Sequence, residues 1–368
     1  MSDWKETTLG EIVTFQRGHD LVQTEFEGGE YPIVSSYGIL GYHNQYTTSK
    51  DGVTIGRSGN SIGKPFYIAS NFWAHNTTLY VKKFHNSFPK FVFYLLKTIN
   101  FKALDSGSAV PSLNRNYIHP LPLIVPEYPE QKRIADVLSC LDAKIDNLRR
   151  QNETLEAIAK TLFKHWFIDF EFPNADGKPY KSSGGGMWRS AIGDIPEGWQ
   201  VGKLGDIALF KNGQSPPERS EDFDIPIYGS NGIIGKTNIS NYQNIVVIGR
   251  VGSYCGSLYY FLGKCWVTDN AMIGQLKNET SQAFLYFILK ANRLNRLSTG
   301  SGQPLLNQTV LSSIELALPQ DNLIQDFEIA VKPIFDKMLL NNEQIQTLIK
   351  TRDALLPKLM SGQLRIEE

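Results

Sequence analysis

The sequence predicts an α+β protein built from two homologous domains of mostly antiparallel β-structure, each followed by a long helix. Three observations lead to this fold class. A seam of apolar residues with a 3.5-residue period occurs twice, short segments recur at a nearly constant offset, and the regions between the seams alternate apolar and polar residues in short runs broken by glycine. We therefore expect the order domain, helix, domain, helix.

The two seams predict that the long helices pair as a coiled coil. Their positions alternate in steps of four and three residues, the spacing that lets two helices interdigitate. The first seam comprises Ile134, Leu138, Leu141, Ile145, Leu148, Asn152, Leu155, Ala159, Leu162 and Trp166, and the second comprises Phe327, Val331, Ile334, Met338, Asn341, Ile345, Leu348, Arg352, Leu355 and Leu359. Unrelated surface helices show such steps for a turn or two, so nine consecutive steps in each seam favour pairing.

Polar residues and prolines interrupt these seams. Asn152 and Asn341 replace apolar residues, a substitution that fixes helix register at some cost in stability. Pro333 lies inside the second seam and Pro357 near its end. Because an interior proline removes a backbone hydrogen bond, we expect a kink or a late start in the second helix.

Four pairs of segments indicate that the chain is a duplicated unit. Residues 8–12 return as 203–207, 37–41 as 231–235, 55–59 as 248–252, and 107–114 as 300–307. The offset settles from 195 to 193 residues and then continues through the two seams. The predicted domains are residues 1–126 and 199–319, with the spacer helices in 127–172 and 320–368 and a linker in 173–198.

Local patterns assign the smaller elements. The glycine-flanked apolar runs at 52–56 and 244–249 are typical of strands joined by tight turns. Residues 89–98, with a proline suited to the first helical position, and residues 283–292 predict single helices packed on the sheets. The linker is rich in proline, glycine and serine, so we expect a flexible joint there.

Composition indicates an ordinary globular protein. The 37 basic and 37 acidic residues balance, with a net charge of +2 in each predicted domain and −2 in each helical region. The three cysteines have no metal-ligand spacing, and the first residues lack the basic and apolar regions of a signal peptide. We therefore expect a cytoplasmic protein with neither a disulfide framework nor a structural metal.

No catalytic or nucleotide-binding motif is evident in the sequence. Residues 56–65 are rich in glycine, but Pro65 stands where a phosphate loop has Ser or Thr. Residues 130–132 resemble the end of a nuclease motif, but they open a helix. We expect no catalytic residue, no metal site and no cofactor in this chain.

The remaining candidates are polar side chains in glycine-flanked loops, which are able to bind phosphates or base edges. They are Gln16, Arg17, Ser36, Tyr37, Arg57, Asn60 and Lys64 in the first copy, and Lys211, Gln214, Asn231, Arg250, Ser253 and Tyr254 in the second. The alternative for the repeated Ile-Gly-Arg is a turn whose arginine pairs with a carboxylate. Asn114 and Asn307 are predicted to cap or brace the fold, and His165 and Trp166 to pack.

Several segments together make the chain resemble the DNA-specificity subunits of type I restriction-modification systems. They are PEQKRIA at 129–135, NETLEAIAK at 152–160, WFIDF at 166–170, GKPYKSSGG at 177–185, IPEGW at 195–199 and LLPKLMSG at 355–362. These segments extend from the first helix to the end of the second. The resemblance therefore concerns the whole duplicated architecture.

The resemblance implies a specific function for each part. The two domains would be target recognition domains that each read one half of a split DNA sequence, and the helices would be an antiparallel spacer that sets the gap. Two modification subunits would bring S-adenosylmethionine and methylate adenine. Restriction subunits would bring ATP, Mg and cleavage. A rival interpretation is a non-catalytic scaffold that binds protein or glycan and dimerises through the coiled coil, and a third is a nucleic-acid enzyme with an unrecognised site.

Overall fold

The computed structural model describes residues 4–26, 28–104, 112–278, 282–298 and 304–366. The chain forms two compact units, which we call unit 1 (residues 1–149 and 343–368) and unit 2 (residues 150–342). Each unit contains a segment of both long helices. The predicted domain boundaries exclude the helices, and they stay a prediction.

In its described residues, unit 1 contains three small sheets and the helices that pack on them. Its strands are β1 (Lys5–Thr8), β2 (Val13–Arg17), β3 (Tyr31–Ser35), β4 (Gly38–His43), β5 (Gly52–Gly56), β6 (Pro65–Ile68), β7 (Trp73–Ala74), β8 (Thr78–Phe84) and β9 (Pro122–Val125), and its helices are α1 (Leu9–Ile12), α2 (Pro89–Thr98), α3 (Arg115–Ile118) and the first part of α4 (Tyr128–Phe167). The sheets have the orders β2-β8-β5-β6, β4-β3-β7 and β1-β9. All pairs are antiparallel except β3 with β7.

Unit 2 repeats this plan with a larger sheet. Its strands are β10 (Met187–Ser190), β11 (Gly193–Pro196), β12 (Gln200–Lys203), β13 (Ala208–Asn212), β14 (Ile225–Gly229), β15 (Gly232–Thr237), β16 (Tyr242–Gly249), β17 (Leu258–Val267), β18 (Ala271–Leu276) and β19 (Glu315–Leu318), and its further helices are α5 (Leu204–Ile207), α6 (Ala283–Ala291), α7 (Gln308–Ser312) and part of α8 (Asp321–Met360). The main sheet has the order β13-β18-β16-β17-β14-β15, antiparallel except for β14 with β17. The predicted fold class is confirmed.

The two long helices run antiparallel within each unit. In unit 1, Arg352 Nη1 donates to Asp142 Oδ1 at 2.7 Å, and Ile145 and Leu148 form a buried cluster with Ile345. In unit 2, the rings of Phe163 and Phe327 lie 5.9 Å apart. Partner numbers fall along α8 as they rise along α4, and every predicted seam position is buried or half-buried. The 3.5-residue period therefore marks the face along which the helices pack.

Helix α8 continues through both of its prolines. It begins at Asp321 and ends at Met360, so the predicted late start is wrong, while the predicted kink stays a prediction. An interior proline costs about 3 kcal/mol. The side chains of Phe327, Val331 and Phe335, on the same stretch, are buried in the unit 2 core, and each contributes roughly 1.5–3 kcal/mol. Their burial offsets the lost hydrogen bond.

The linker is more regular than its composition suggests. Residues 187–196 form the β10-β11 hairpin, and Phe172 stacks on Tyr180 and on Trp199 with ring centroids 4.5 and 5.6 Å apart. Tyr180 Oη also donates to the backbone oxygen of Gly186 at 2.9 Å. Aromatic burial thus orders a segment for which the sequence predicts a flexible joint.

The polar seam positions contact each other inside unit 2. Asn341 is 1% exposed, and its Nδ2 donates to Asn152 Oδ1 at 2.8 Å. Asn152 Nδ2 in turn donates to Asn342 Oδ1 at 2.9 Å. Among the described residues, Asn341 Oδ1 has no hydrogen-bond partner. A buried amide with an unpaired oxygen costs stability. We infer that its role is to fix the register of the two helices.

Replacing this amide with an apolar side chain is therefore expected to stabilise the protein. Asn341→Leu removes the unsatisfied oxygen, and half-exposed Asn152 retains Asn342 and water as partners. We expect an increase of about 1 kcal/mol in the free energy of unfolding, measured by thermal or urea denaturation. Gln344→Leu, at an exposed position three residues further along α8, is the matched control and should change stability little. A lower stability of Asn341→Leu would show that the amide pair itself stabilises the helices.

Candidate nucleic-acid interface

A repeated backbone junction supports the candidate loops of both units. Gly18 follows β2, and its N–H donates to Thr78 O at 3.0 Å, while Gly213 follows β13 and donates to Ala271 O at 3.0 Å. A Cβ atom on Gly18 would lie 2.1 Å from His75 O, and one on Gly213 would lie 2.2 Å from Thr268 O. Only glycine permits this close approach of two backbone segments. The same backbone contact therefore occurs in both units.

The arginine of the repeated Ile-Gly-Arg occupies the same position in both units. The N–H of Arg57 donates to Thr77 O at 2.9 Å, and that of Arg250 donates to Asn270 O at 3.1 Å. Arg57 Nη1 donates to Asn76 O at 3.1 Å, and Arg250 Nη1 donates to Asp269 O at 3.3 Å. The guanidinium groups thus bond to backbone carbonyls rather than to the carboxylates of the alternative interpretation.

The neutral partner of each arginine has an electrostatic consequence. A carbonyl accepts a hydrogen bond without cancelling the charge, so both guanidinium groups keep their positive charge. Within the part of unit 2 that the structure describes, Arg250 Nε is buried and has no partner. Both hydrogen bonds use Nη1, so the Nη2 group of each arginine is left to donate to phosphate oxygens or to the acceptors of a guanine edge.

In unit 1, a cavity of about 590 Å³ brings Gln16, Arg17 and Arg57 together. Arg17 Nη2 donates to Asp20 Oδ1 at 3.1 Å, and Asn76 Nδ2 donates to the same oxygen. The hydrogen bond from Asn76 lowers the pKa of Asp20, so this carboxylate is ionised at neutral pH. The further residues that line the cavity are Gly18, His19, Leu79, Ser112, Leu113, Asn114 and Arg115.

The other candidates of unit 1 lie in different surroundings. Ser36 is 2% exposed, and its N–H donates to Thr77 Oγ1 at 3.2 Å, which makes it a support of the loop. Tyr37 is 71% exposed at the turn between β3 and β4, and Asn60 is exposed on a short 3₁₀ helix at Gly59–Ser61. Lys64 lies away from this group, with its Nζ 5.4 Å from the Phe66 ring in a cavity along α2 and α4.

The unit 2 candidates are mostly exposed. Gln214 bonds through its backbone, with its N–H donating to Val267 O at 3.0 Å and its carbonyl accepting from Asp269 N at 3.1 Å. The exposed candidates are Lys211 on β13, Gln214 after that strand, Asn231 at the turn before β15, and Ser253 and Tyr254 on the 3₁₀ helix at Gly252–Tyr254. Their side chains face solvent and are accessible to a partner molecule.

Several residues of the interface were not apparent from the sequence. Asp20, Asn76 and Arg115 join the unit 1 site, although residues 20 and 76 lie far apart in the chain. The predicted caps are confirmed, because Asn114 Oδ1 accepts from Asn116 N and Asn307 Oδ1 accepts from Val310 N, both at 2.9 Å. The repeated segments at 107–114 and 300–307 lie partly outside the described residues.

Two other predictions about single residues have different outcomes. Trp166 packs in the unit 2 core, whereas His165 is exposed, so the prediction that His165 packs is wrong. His165 lies one residue before the seam position, and Trp166 occupies that buried position. The described residues contain no group of three metal-binding side chains and no helix long and apolar enough to cross a membrane.

Comparisons with known proteins agree on one family. A family model described as the type I restriction modification DNA specificity domain matches residues 1–157 and 196–350. The chain is 30% identical to the MjaIX specificity subunit of Methanocaldococcus jannaschii over 77% of this chain and 72% of that one. It is 24% identical to the HindI specificity subunit of Haemophilus influenzae, over 99% and 100% respectively.

A solved structure shares the fold. The S subunit of a type I restriction-modification system from M. genitalium superposes with a TM-score of 0.62 at 19% identity, covering 97% of this chain and 96% of that one. At this identity the similarity concerns the fold alone. It extends over nearly the whole chain, including the long helices.

Strand β2, which carries Gln16 and Arg17, is supported by a histidine whose neutral form the fold requires. His119 Nε2 accepts a hydrogen bond from the N–H of Phe15 at 3.1 Å, so that nitrogen carries no proton. Burial lowers the pKa of His119 below its usual value, and Arg115 acts in the same direction. Protonation therefore breaks a support of the site.

We expect a corresponding loss of stability in acid. Because the folded pKa lies below the unfolded value of about 6.5, the contribution of His119 is complete above that pH and is lost as the pH falls through the folded pKa. The amide oxygen of glutamine also accepts a hydrogen bond, so the melting temperature of the His119→Gln variant should fall less than that of the wild type between pH 7.5 and 5. Exposed His165→Gln is the control. An equal loss in wild type and His119→Gln would contradict this role.

Proposed function

The chain belongs to the family of type I restriction-modification DNA specificity proteins, and from this premise we propose that it is the sequence-specific DNA-recognition subunit of such a complex. The observation that carries the proposal is the repeated loop frame. Each unit holds an arginine at the same position, with its guanidinium bonded to a backbone carbonyl and its charge retained. This chain chooses the site, and catalysis belongs to other subunits.

Each unit reads one half of a bipartite target. The backbone frames match, but the side chains at equivalent positions differ: Gln16 corresponds to Lys211 and Asn76 to Asp269. Different donors and acceptors select different bases. The two half-sites are therefore expected to differ in sequence. The candidate contacts are those that the sequence predicts, except that buried Ser36 acts as a support and Lys64 lies in another cavity.

The paired helices set the distance between the half-sites. Each of α4 and α8 has 40 residues. At 1.5 Å per residue such a helix is about 60 Å long, enough to separate half-sites about one duplex turn, or roughly 34 Å, apart.

The outer faces of the helices dock two modification subunits. Ile329 and Leu340 on α8 are 70% and 59% exposed, and Ile158 on α4 is 51% exposed. These exposed apolar side chains are the candidate docking contacts, because a partner that covers them removes them from water. The modification subunits bring S-adenosylmethionine and methylate adenine, and restriction subunits bring ATP and Mg for translocation and cleavage.

The scaffold that dimerises through its coiled coil is disfavoured. In each unit the seam of α4 already packs against α8 of the same chain. A dimer formed through this seam would have to separate the two helices first. The exposed apolar side chains that remain on the helices lie outside the seam.

Domain exchange tests the reading of the two half-sites. The chain is co-expressed with adenine-specific modification subunits in a host that lacks adenine methylation, and the complex is isolated while the methylome is sequenced. We expect the modification subunits to co-purify and adenine to be methylated at a two-part sequence. Replacing residues 1–126 with the first domain of another family member should change one half only, and replacing 199–319 should change the other. Absence of sequence-specific methylation, or a change in both halves after one exchange, would refute the proposal.

Lengthening the helices tests the spacer. Four residues inserted after Leu148 in α4, with four inserted opposite them before Ile345 in α8, add about 6 Å of helix. The gap in the methylated sequence should grow by about two base pairs at 3.4 Å each, with both halves unchanged. The same insertion in the turn between β10 and β11 is the control and should leave the gap unaltered. An unchanged gap in the helix variant would rule out the spacer.

A further inference from the structure

A series of hydrogen bonds orients an arginine at the end of β2. Arg17 Nη2 donates to Asp20 Oδ1 at 3.1 Å, and Asn76 Nδ2 donates to the same oxygen. Arg57 Nη1 completes the series by donating to the backbone oxygen of Asn76 at 3.1 Å. Two guanidinium groups that line one cavity are thus joined through Asp20 and Asn76.

Folding stability does not account for the Arg17–Asp20 pair. The two side chains are 55% and 75% exposed. An ion pair this exposed contributes little to stability, because water screens the charges and ordering both side chains costs entropy. What the pair does supply is a preferred direction for the Arg17 guanidinium.

The backbone next to Arg17 is fixed as well. Arg17 is the last residue of β2 and pairs with Leu79 of β8, and Gly18 then packs against the backbone of His75. The sheet therefore holds the backbone of Arg17, and Asp20 orients its guanidinium. An arginine oriented in this way loses less entropy on binding than one without such a partner.

The donors that Arg17 retains match one base. Its bond to Asp20 uses Nη2, and no other described residue accepts a hydrogen bond from its side chain. Guanine presents two acceptors, N7 and O6, on its major-groove edge, and the arginine fork binds both at once. We propose that Arg17, positioned by Asp20, reads a guanine in the half-site recognised by unit 1. This inference rests on the proposed function.

Unit 2 has different residues at the positions of Arg17 and Asp20. Its β13 ends at Asn212, which pairs with Met272 as Arg17 pairs with Leu79, and Ser215 stands where unit 1 has Asp20. An arginine–carboxylate pair is thus absent from this position of unit 2. Loss of the unit 1 pair should therefore affect one half of the target and leave the other unchanged.

Two substitutions test the inference in the complex with modification subunits. Arg17→Lys keeps the charge but removes the fork, and Asp20→Asn keeps an acceptor but removes the ion pair. Each complex is incubated with S-adenosylmethionine and duplexes whose half-sites are randomised one position at a time, and methylated products are sequenced. We expect the wild type to require guanine at one position of the unit 1 half-site. Both variants should lose on the order of ten- to hundredfold of that discrimination, at that position only.

The controls and opposing outcomes separate this inference from the proposed function. Arg189→Lys and Asp194→Asn alter an exposed arginine–aspartate pair of similar length, 3.0 Å, in the β10-β11 hairpin, and should leave every base preference unchanged. If Arg17→Lys lowers methylation of all sequences equally, Arg17 contacts phosphate and the guanine inference is overturned. If the variants methylate with the wild-type preference, it is also overturned, while the proposed function stands. A wild-type complex with no sequence preference overturns the proposed function and the inference with it.

Discussion

Burial of the α4 seam against α8 is the interaction on which both units depend. In unit 1, Leu355 and Leu359 pack in the same core as Ile134 and Leu138, beneath the sheet and α2. Unit 1 therefore requires a segment that lies about 200 residues further along the chain. At roughly 1.5–3 kcal/mol for each large apolar side chain, this contact outweighs the cost of the proline within α8. The amide pair at Asn152 and Asn341 costs stability but favours one alignment of the helices.

The duplicated fold keeps its backbone constant and varies its side chains. Gly18 and Gly213 make the same close approach, and Arg57 and Arg250 make the same backbone hydrogen bonds. The hydrogen bonds use backbone atoms, which every residue has, and the close approach requires glycine only at Gly18 and Gly213. These contacts therefore restrict few neighbouring side chains. A frame of this kind allows the exposed loop residues to differ between the units without a loss of stability. That freedom is what a protein needs if it reads two different half-sites.

The sequence predicted those features that local periodicity determines and missed those that depend on distant partners. The seams, helix α2 and the repeated strands follow from spacing alone, because apolar burial imposes a period on the chain. The Asp20–Asn76 contact depends on the β2-β8 ladder, which brings residues 20 and 76 together, and no local pattern reports it. The order of the linker likewise comes from Phe172 stacking between Tyr180 and Trp199. Lys64 was grouped with Arg57 by sequence proximity, but the turn between them directs it to another cavity.

The charges of the loop residues affect the affinity for DNA and the specificity for its sequence in different ways. With 37 basic and 37 acidic residues, the chain as a whole exerts little long-range attraction on phosphates. Arg57 and Arg250 keep their charge because their partners are neutral carbonyls, and they suit contacts that depend on charge. The Arg17–Asp20 pair is neutral as a whole, so it attracts DNA weakly at any sequence, yet its donors remain directional. A neutral but directional pair gains its contact energy only at the matching base, and this is the property that distinguishes selection of a sequence from binding to DNA in general.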